Sequence, residues 1–289
     1  MLFGSHGLVW SGSFDEAGLR TALVGNNAAG YDILEIPLLD PFSFDVSAAK
    51  RLLAEHPTTL TASLGLSAET DISSDDPERV AAGERLLLAA VDVVAELGGS
   101  WLAGVIYGAM RKHERPLTDA GRRHGQEVLS RVADHAAAAG ITLALEVVNR
   151  YESNVLNTAR QGIAYIREIG HENIRLHLDT YHMNIEESGL FEPFLDAADL
   201  LGYVHIGESH RGYLGTGTVD FDSTFRALER LGYDGPVVFE SFSTAIVDPQ
   251  LSNTLGVWRN LWTDNDDLAR HALAFMRGKQ RAVETIALH

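Results

Sequence analysis

The sequence predicts a single-domain α/β protein built as one closed (β/α)8 barrel, the TIM-barrel architecture. Three observations predict it. Short apolar runs alternate with amphipathic segments, three helix-to-strand junctions are near-copies of one another, and no glycine-rich phosphate turn follows an early strand. The alternation implies parallel strands covered by helices, and the missing turn argues against the rival fold, an open doubly wound sheet.

Eight apolar runs are the predicted strands, and their near-continuous apolar character is typical of strands buried on both faces of a parallel sheet. They span residues 2–10, 31–37, 58–66, 99–107, 141–148, 173–180, 200–208 and 235–242. Eight strand–helix units are the number that closes into this barrel.

Five amphipathic segments between these runs are predicted as helices. They span residues 14–30, 75–99, 118–140, 158–170 and 220–232. Each ends at a glycine, the residue that most readily adopts the left-handed conformation after a last helical turn. Asp76 is the expected N-cap of the second helix, and Pro77 suits its first position. Thr118 is expected to open the third helix.

The chain of 289 residues is long for an average domain but ordinary for one α/β barrel. We therefore expect one domain over residues 1–289. Two segments, 107–117 and 243–263, are longer than a minimal barrel needs and are interpreted as loop insertions. The second carries Trp258 and Trp262, and it is expected either to cover the barrel mouth or to form a subunit contact.

The amino-acid composition limits the classes of molecule that the protein is expected to bind. The net charge is −17, with 40 acidic against 23 basic residues, which disfavours nucleic acid and anionic lipid surfaces because both need a positive footprint. The absence of cysteine excludes disulfides and thiolate metal sites. No signal-peptide pattern or membrane-length apolar stretch is visible. These features favour a cytoplasmic protein that acts on a small molecule, with no membrane or nucleic-acid partner.

Four side chains that can bind metal fall near the carboxyl ends of the last four predicted strands. They are Glu146, Asp179, His205 and Glu240. Barrel enzymes carry their chemistry at these ends, and three carboxylates cannot share a dry pocket unless their charge is neutralised. We therefore expect one divalent ion. Carboxylates and one imidazole, without thiolate, suit a hard or borderline divalent ion such as Mn²⁺, Mg²⁺ or Co²⁺.

Each of these residues also has an ordinary structural interpretation. A glutamate at a strand end can pair with a nearby Lys or Arg, and a histidine can be a satisfied core residue. Four such residues at four successive strand ends favour the metal site. His177 shares a strand face with Asp179 and is interpreted as a group behind the ligands or as barrel filling.

Charged residues in the loops beyond the strand ends have two interpretations. For Glu208, His210 and Arg150, a solvated loop or an ion pair, such as Arg150 with Glu152, is a strong alternative. It is a weaker one for Glu152, His182 and Arg211, which are candidates for substrate binding.

Long motifs around these residues resemble the ketose 3-epimerases, the D-tagatose/D-allulose (psicose) 3-epimerase family of the sugar isomerase/epimerase TIM-barrel superfamily. The motifs are EVVNRYESNVLNT (146–158), LDTYHMNIEE (178–187), HIGESHRGYLGTG (205–217) and FESF (239–242). Further similar stretches are EIPLLDP (35–41), SLGLSAETDISSDDP (63–77) and VWRNLWTD (257–264). The resemblance covers nearly the whole chain.

The resemblance implies a role for each matching residue. The four strand-end residues would bind the metal, and Glu152, His182 and Arg211 would hold the O1–O2 end of a ketose. His6 and Met110 stand where some relatives have an aromatic residue and Trp, respectively, so the contacts to the far end of the sugar differ. Phe242 is expected beside them. Members of the family are activated by Mn²⁺ or Co²⁺ and form homodimers or homotetramers.

The expected reaction is metal-dependent epimerisation at C3 of free ketohexoses. D-fructose and D-allulose are the expected pair, with D-tagatose and D-sorbose as a second pair. Glu146 and Glu240 would act as acid and base on opposite faces of C3, through a cis-enediolate. The alternatives are an aldose–ketose isomerase, a non-catalytic sugar-binding barrel and an apurinic endonuclease-like nuclease, the last opposed by the charge of −17.

Overall fold

The computed structural model describes residues 1–247 and 249–286. Eight parallel strands pair in chain order, and β1 pairs with β8 to close the barrel. The strands are β1 Leu2–His6, β2 Ile33–Pro37, β3 Thr59–Ser63, β4 Trp101–Gly104, β5 Thr142–Val147, β6 Ile174–Asp179, β7 Leu201–Ile206 and β8 Pro236–Phe239. The predicted fold class, a single-domain (β/α)8 barrel, is confirmed.

Helices connect the strands, and the longer ones cover the outside of the barrel. They are α1 Glu16–Ala29, α2 Val46–Glu55, α3 Pro77–Glu96, α4 Asp119–Ala138, α5 Ala159–Ile169, α6 Thr180–Glu186, α7 Glu192–Ala197, α8 Phe221–Leu231, α9 Pro249–Leu255 and α10 Asn265–Ile286. The five predicted helices correspond to α1, α3, α4, α5 and α8. The other five helices were not predicted.

The predicted helix ends are largely correct. Asp76 and Thr118 accept hydrogen bonds from the first-turn backbone N–H groups of α3 and α4. Thr158 and Gln161 form a reciprocal capping box at the start of α5. Gly98 has a φ of 75° and follows the last turn of α3, so that helix ends at Glu96, slightly before the predicted glycine.

Several strands are shorter than predicted, because burial continues after strand pairing has ended. β1 ends at His6 and passes directly into a 3-10 turn, Gly7–Val9, whose residues are still buried. β4 ends at Gly104, although residues 105–107 are also buried. β8 ends at Phe239, so Glu240 lies just beyond the strand. An apolar run in the sequence therefore indicates which residues are buried, and it extends beyond the residues that pair in a strand.

The barrel interior has an apolar layer and a polar layer. Ile33, Ala103, Ala144, Tyr203 and Val238 form a buried cluster inside the barrel. Two positions further along the chain, four of the five are followed by Glu35, Glu146, His205 and Glu240, and the fifth by Val105. Strand alternation therefore directs the carboxylates and the imidazole into the barrel at its carboxyl-terminal end.

The two segments interpreted as insertions differ in structure. Residues 105–118 connect β4 to α4 and are joined to the loop after β3 by a bridge between Leu66 and Ala109. The segment 243–263 contains α9, and one of its residues, Asp248, lies outside the described residues, as do residues 287–289. The assignment of the segments 107–117 and 243–263 as insertions stays a prediction. Within the described ranges, no helix has the length and apolar character needed to cross a membrane.

Candidate metal and substrate site

The structure brings the four predicted metal ligands together. Glu146 lies on β5, Asp179 ends β6, His205 lies on β7 and Glu240 follows β8. All four are buried, and one potential ligand atom from each lies within 4.8 Å of those from the others. Pairing of Asp179 with His205 across β6 and β7 fixes part of this arrangement.

The contacts of His205 indicate whether a cation fits among these residues. Its Nε2 lies 2.8 Å from a carboxylate oxygen of Glu35. Its Nδ1 lies 3.7 Å from Glu146 Oε1 and 3.6 Å from Glu240 Oε2, and it has no hydrogen-bond partner among the described residues. A buried imidazole nitrogen without a hydrogen-bond partner, together with the carboxylates that it faces, is a suitable set of ligands for a divalent ion. The residues therefore fit a metal.

The two glutamates of the cluster differ in how far nearby positive groups offset the cost of their negative charge. Burial raises the pKa of Glu146 to about 7, and repulsion by Glu240 and Asp179 adds to this, against attraction by His205. Burial also opposes ionisation of Glu240, but Arg211 and His205 hold the pKa of that carboxyl well below its usual range. The two glutamates thus differ in proton affinity, which is the pattern expected of an acid–base pair.

Arg211 is the cation nearest the cluster, and its position is tightly constrained. Its Nη1 donates to Asp179 Oδ2 at 2.9 Å and to a carboxylate oxygen of Glu240. The guanidinium lies over the Tyr181 ring, 3.9 Å from the centroid. The backbone of Arg211 has a φ of 62°, a left-handed conformation that costs energy for a residue with a side chain and often occurs at functional sites.

His182 is a buried, neutral ring beside the cluster. Its Nδ1 accepts a hydrogen bond from the backbone N–H of Asn149 at 3.1 Å. Its Nε2 lies 3.7 Å from oxygens of Glu146 and Asp179 and 3.2 Å from Nη2 of Arg211, which can only donate. Burial lowers the pKa of His182 well below its usual value, and Arg211 contributes. The ring is therefore neutral and hydrogen-bonds through both nitrogens.

Glu152 is held beside His182 by the same asparagine, whose side-chain amide donates to Glu152 Oε1 at 2.8 Å. Burial raises the pKa of Glu152, against opposing effects of Arg211 and Asn149. The ion pair of Glu152 with Arg150 considered from the sequence is wrong, because Arg150 pairs with Glu186 at 2.7 Å. Glu152 therefore remains directed towards the site.

Glu208 and His210 have structural roles in the loop after β7. Glu208 accepts hydrogen bonds from the backbone N–H groups of Ser209 and Gly215. His210 contacts Thr216 at 3.1 Å. Glu208 is fully buried, so its carboxylate holds the loop backbone and is not the solvated or ion-paired side chain expected from the sequence.

His6, Met110 and Phe242 lie on the other side of the cluster. With Glu146, His205 and Glu240 they line a cavity of about 90 Å³. His6 Nδ1 accepts from the Leu8 N–H, so its Nε2 carries the proton and faces Ser63 Oγ at 3.2 Å. The cavity is therefore mainly apolar with one hydrogen-bonding edge.

The segment 243–263 borders this region. A larger cavity of about 350 Å³ is lined by Glu152, Tyr181, Arg211 and residues 255–259, among others. Leu255 and Phe242 line both cavities. Trp262 is buried and donates through Nε1 to Ser241 Oγ at 2.8 Å, whereas Trp258 is 74% exposed. Part of this segment therefore covers the barrel mouth.

Glu35 is a residue that sequence reasoning missed. It lies on β2, is fully buried, and accepts hydrogen bonds from Tyr203 Oη at 2.7 Å and His205 Nε2 at 2.8 Å. The signal was available, since Glu35 interrupts the apolar run ILEIP just as Glu146 interrupts its own strand. It was overlooked because it lies in the first half of the chain, away from the four ligands.

Comparisons with known proteins agree with this geometry. Residues 27–279 match the family model described as xylose isomerase-like TIM barrel. The chain is 60% identical over 289 residues to a ketose 3-epimerase of Arthrobacter globiformis, covering all of both chains. It is 56% identical over 275 residues to an L-ribulose 3-epimerase of a Methylomonas species, covering 95% and 96% of the two chains.

Solved structures extend the similarity to three dimensions. A D-allulose 3-epimerase from a Methylomonas species, crystallised in complex with D-allulose, superposes with a TM-score of 0.95 at 55% identity. The match covers 96% of this chain and 97% of the other.

Proposed function

This chain belongs to the xylose isomerase-like TIM-barrel family, and we propose that it is a ketose 3-epimerase, like the relative at 60% identity, that interconverts D-fructose and D-allulose at a metal centre. D-tagatose and D-sorbose are the second proposed pair. The observation that carries the proposal is the buried quartet of Glu146, Asp179, His205 and Glu240, whose ligand atoms converge within 4.8 Å. The similarity to an enzyme crystallised with D-allulose supports the choice of sugar.

The quartet would hold one divalent ion per subunit. Three carboxylates and one imidazole favour Mn²⁺, with Mg²⁺ or Co²⁺ as alternatives. When bound, the ion supplies a Lewis acid that polarises the C2 carbonyl of the ketose and stabilises the enediolate form of the sugar.

Glu146 and Glu240 are the proposed acid and base. They come from β5 and from the end of β8, and we assign them to opposite faces of C3. In one direction an ionised carboxylate removes the C3 proton, giving a cis-enediolate, and the protonated partner delivers a proton to the other face. The reverse reaction exchanges the roles. The difference in proton affinity between the two carboxyls supports this division.

Glu152, His182 and Arg211 are proposed to hold the O1–O2 end of the sugar. The neutral His182 hydrogen-bonds to the sugar, Glu152 accepts from hydroxyl groups, and Arg211 places positive charge near the oxygen that becomes negative. Fixing this end places only C3 between the two carboxylates. His6, Met110 and Phe242 are proposed to contact the C4–C6 end.

Turnover in D₂O tests the chemistry. The Mn²⁺-loaded enzyme should convert D-fructose to D-allulose carrying deuterium at C3 and a ketone still at C2. Unlabelled D-allulose would exclude the proton-transfer scheme. An aldose product would instead identify an aldose–ketose isomerase, and stoichiometric metal binding without turnover of any ketose would indicate a sugar-binding barrel.

A homodimer or homotetramer is the proposed assembly, and the cytoplasm is the proposed compartment. Large exposed apolar side chains support self-association, since Phe42 is 68% and Trp258 is 74% exposed. Sedimentation velocity of the purified protein tests the assembly, and a single species at the mass of one chain would contradict it.

A further inference from the structure

Glu35 is a fully buried carboxylate with no place in the mechanism above. Its side chain is 0% exposed, and it does not line either cavity beside the cluster. Burying a carboxylate is costly unless specific partners compensate its charge. Its contacts therefore indicate what the residue does.

The main contact of Glu35 is with the proposed imidazole ligand. Glu35 Oε2 lies 2.8 Å from His205 Nε2, and a carboxylate there can only accept, so Nε2 must carry a proton. The lone pair available for a metal is then on Nδ1, which faces Glu146 and Glu240. Glu35 thus selects the ring nitrogen that faces the cluster.

Two further contacts hold this arrangement in place. Tyr203 Oη donates to the same oxygen of Glu35 at 2.7 Å, and Thr61 Oγ1 lies 2.7 Å from Tyr203 Oη on the other side. His177 packs against the His205 ring, with centroids 4.2 Å apart and planes at 87°. The imidazole is therefore fixed by a hydrogen bond at one edge and by packing on one side.

We propose that Glu35 is a positioning residue that sets the metal affinity of the site through His205, without contacting metal or sugar. A hydrogen bond from the second nitrogen of a ligating imidazole to a carboxylate orients the ring and makes it a stronger ligand. The proposal rests on the metal centre of the proposed function. It adds a charged residue from β2 that is not itself a ligand to the determinants of that centre.

The test is Mn²⁺ titration of metal-free Glu35→Gln by calorimetry, with thermal unfolding of the metal-free protein to check the fold. Glutamine has the same shape but no charge, and its amide can stabilise the wrong histidine tautomer. We expect Mn²⁺ to bind about 10- to 100-fold more weakly than to the unmodified protein. The visible absorption of the Co²⁺-loaded variant should also change, because the ligand field depends on ring orientation and basicity.

Thr61→Val is the matched control, since it alters a buried hydroxyl of the same network but leaves the Glu35–His205 contact intact. It should bind Mn²⁺ like the unmodified protein. Glu35→Asp, which keeps the charge but withdraws the oxygens by one methylene, is the second variant if Glu35→Gln does not fold, and it should also bind more weakly.

Unchanged Mn²⁺ affinity and Co²⁺ spectrum in a folded Glu35 variant would overturn the proposal. An equal loss of affinity in Thr61→Val would overturn it too, because any disturbance of the barrel interior would then suffice. Absence of stoichiometric Mn²⁺ binding by the unmodified protein is a separate result, which would instead refute the metal centre of the proposed function.

Discussion

At the scale of single residues, position along a strand decides the chemistry of a carboxylate. Glu146 is 8% exposed on an otherwise apolar strand, and its pKa is raised to about 7. Glu240, only slightly beyond its own strand, is paired with Arg211 and remains ionised. Both residues could be predicted from the sequence because each interrupts an apolar run. Their difference in pKa could not, since it depends on an arginine brought in by a distant loop.

Replacing either proposed proton carrier should stop the reaction. We expect Glu146→Gln and Glu240→Gln each to lower kcat about 10²- to 10⁴-fold, the usual contribution of a general acid or base. The measurement is the rate of allulose formation and of deuterium incorporation at C3. Glu168→Gln, which changes an exposed glutamate paired with Arg122, should react normally, and near-normal rates in either site variant would remove that residue from its role.

Metal affinity should depend on pH because protons compete for the same groups. Below pH 7 the Glu146 carboxyl of the metal-free protein is largely protonated, so Mn²⁺ affinity should fall by up to about tenfold per pH unit there and should level off above 7. Titration calorimetry at pH 6, 7 and 8 measures this. An affinity that is flat from pH 6 to 8 would contradict the raised pKa.

The raised pKa of Glu146 also determines whether the metal-free protein gains or loses stability as pH rises. The folded carboxyl titrates near 7 and the unfolded one near 4.5, so the folded state binds more protons between these values. The contribution of Glu146 therefore makes the metal-free protein less stable as pH rises through this window.

At the scale of elements, local patterns predicted the longer helices but not all of them. α1, α3, α4, α5 and α8 have polar caps and terminal glycines that the sequence shows. α10 also has a helical apolar pattern, with Leu268, Ala269, Ala272 and Leu273 buried, and was overlooked because no strand follows it. The short helices α6, α7 and α9 have no such repeat, and tertiary packing fixes them.

The capping box of α5 gives a stability prediction. Thr158→Ala removes the hydroxyl that accepts the Gln161 N–H and should lower the free energy of unfolding by about 1 kcal/mol. Urea unfolding measures the change. Thr21→Ala, at an exposed position within α1, is the control and should have a smaller effect, so equal losses would show that the cap has no special role.

The segment 243–263 should influence sugar binding through Arg211. Trp262 donates to Ser241, whose hydroxyl donates to the backbone oxygen of Arg211, so the segment supports the strained conformation of that residue. Trp262→Phe removes one hydrogen bond and should raise KM for D-fructose about fivefold, with Mn²⁺ affinity unchanged. Trp258→Phe, at an exposed position, should leave KM unaltered, and an unchanged KM in Trp262→Phe would exclude this support.

At the scale of the whole molecule, closure of the barrel makes the site. The four proposed ligands lie on consecutive strands, so the sequence alone could place them in one quadrant. Glu35 reaches His205 from β2 across the barrel interior, and this contact could not be predicted from neighbouring strands. A contact across the interior depends on side-chain length and on which layer each residue occupies.

A bound ion should stabilise the entire barrel, since it connects β5, β6, β7 and β8. Metal at 100 times its dissociation constant should add about 2.7 kcal/mol to the free energy of unfolding. Thermal unfolding with EDTA or with Mn²⁺ measures the difference. Glu240→Gln should lose most of this gain, and a melting temperature independent of Mn²⁺ in the unmodified protein would refute the connection.

The distribution of the site around the barrel has an evolutionary consequence. The proposed ligands and proton carriers belong to the second half of the chain, whereas His6, Ser63 and Met110, beside the small cavity, belong to the first half. Mutations in the first half can therefore change which sugar is accepted while the reacting groups stay intact. A barrel arranged in this way can diversify its substrates through a few first-half side chains such as His6 and Met110 while its reacting groups are conserved.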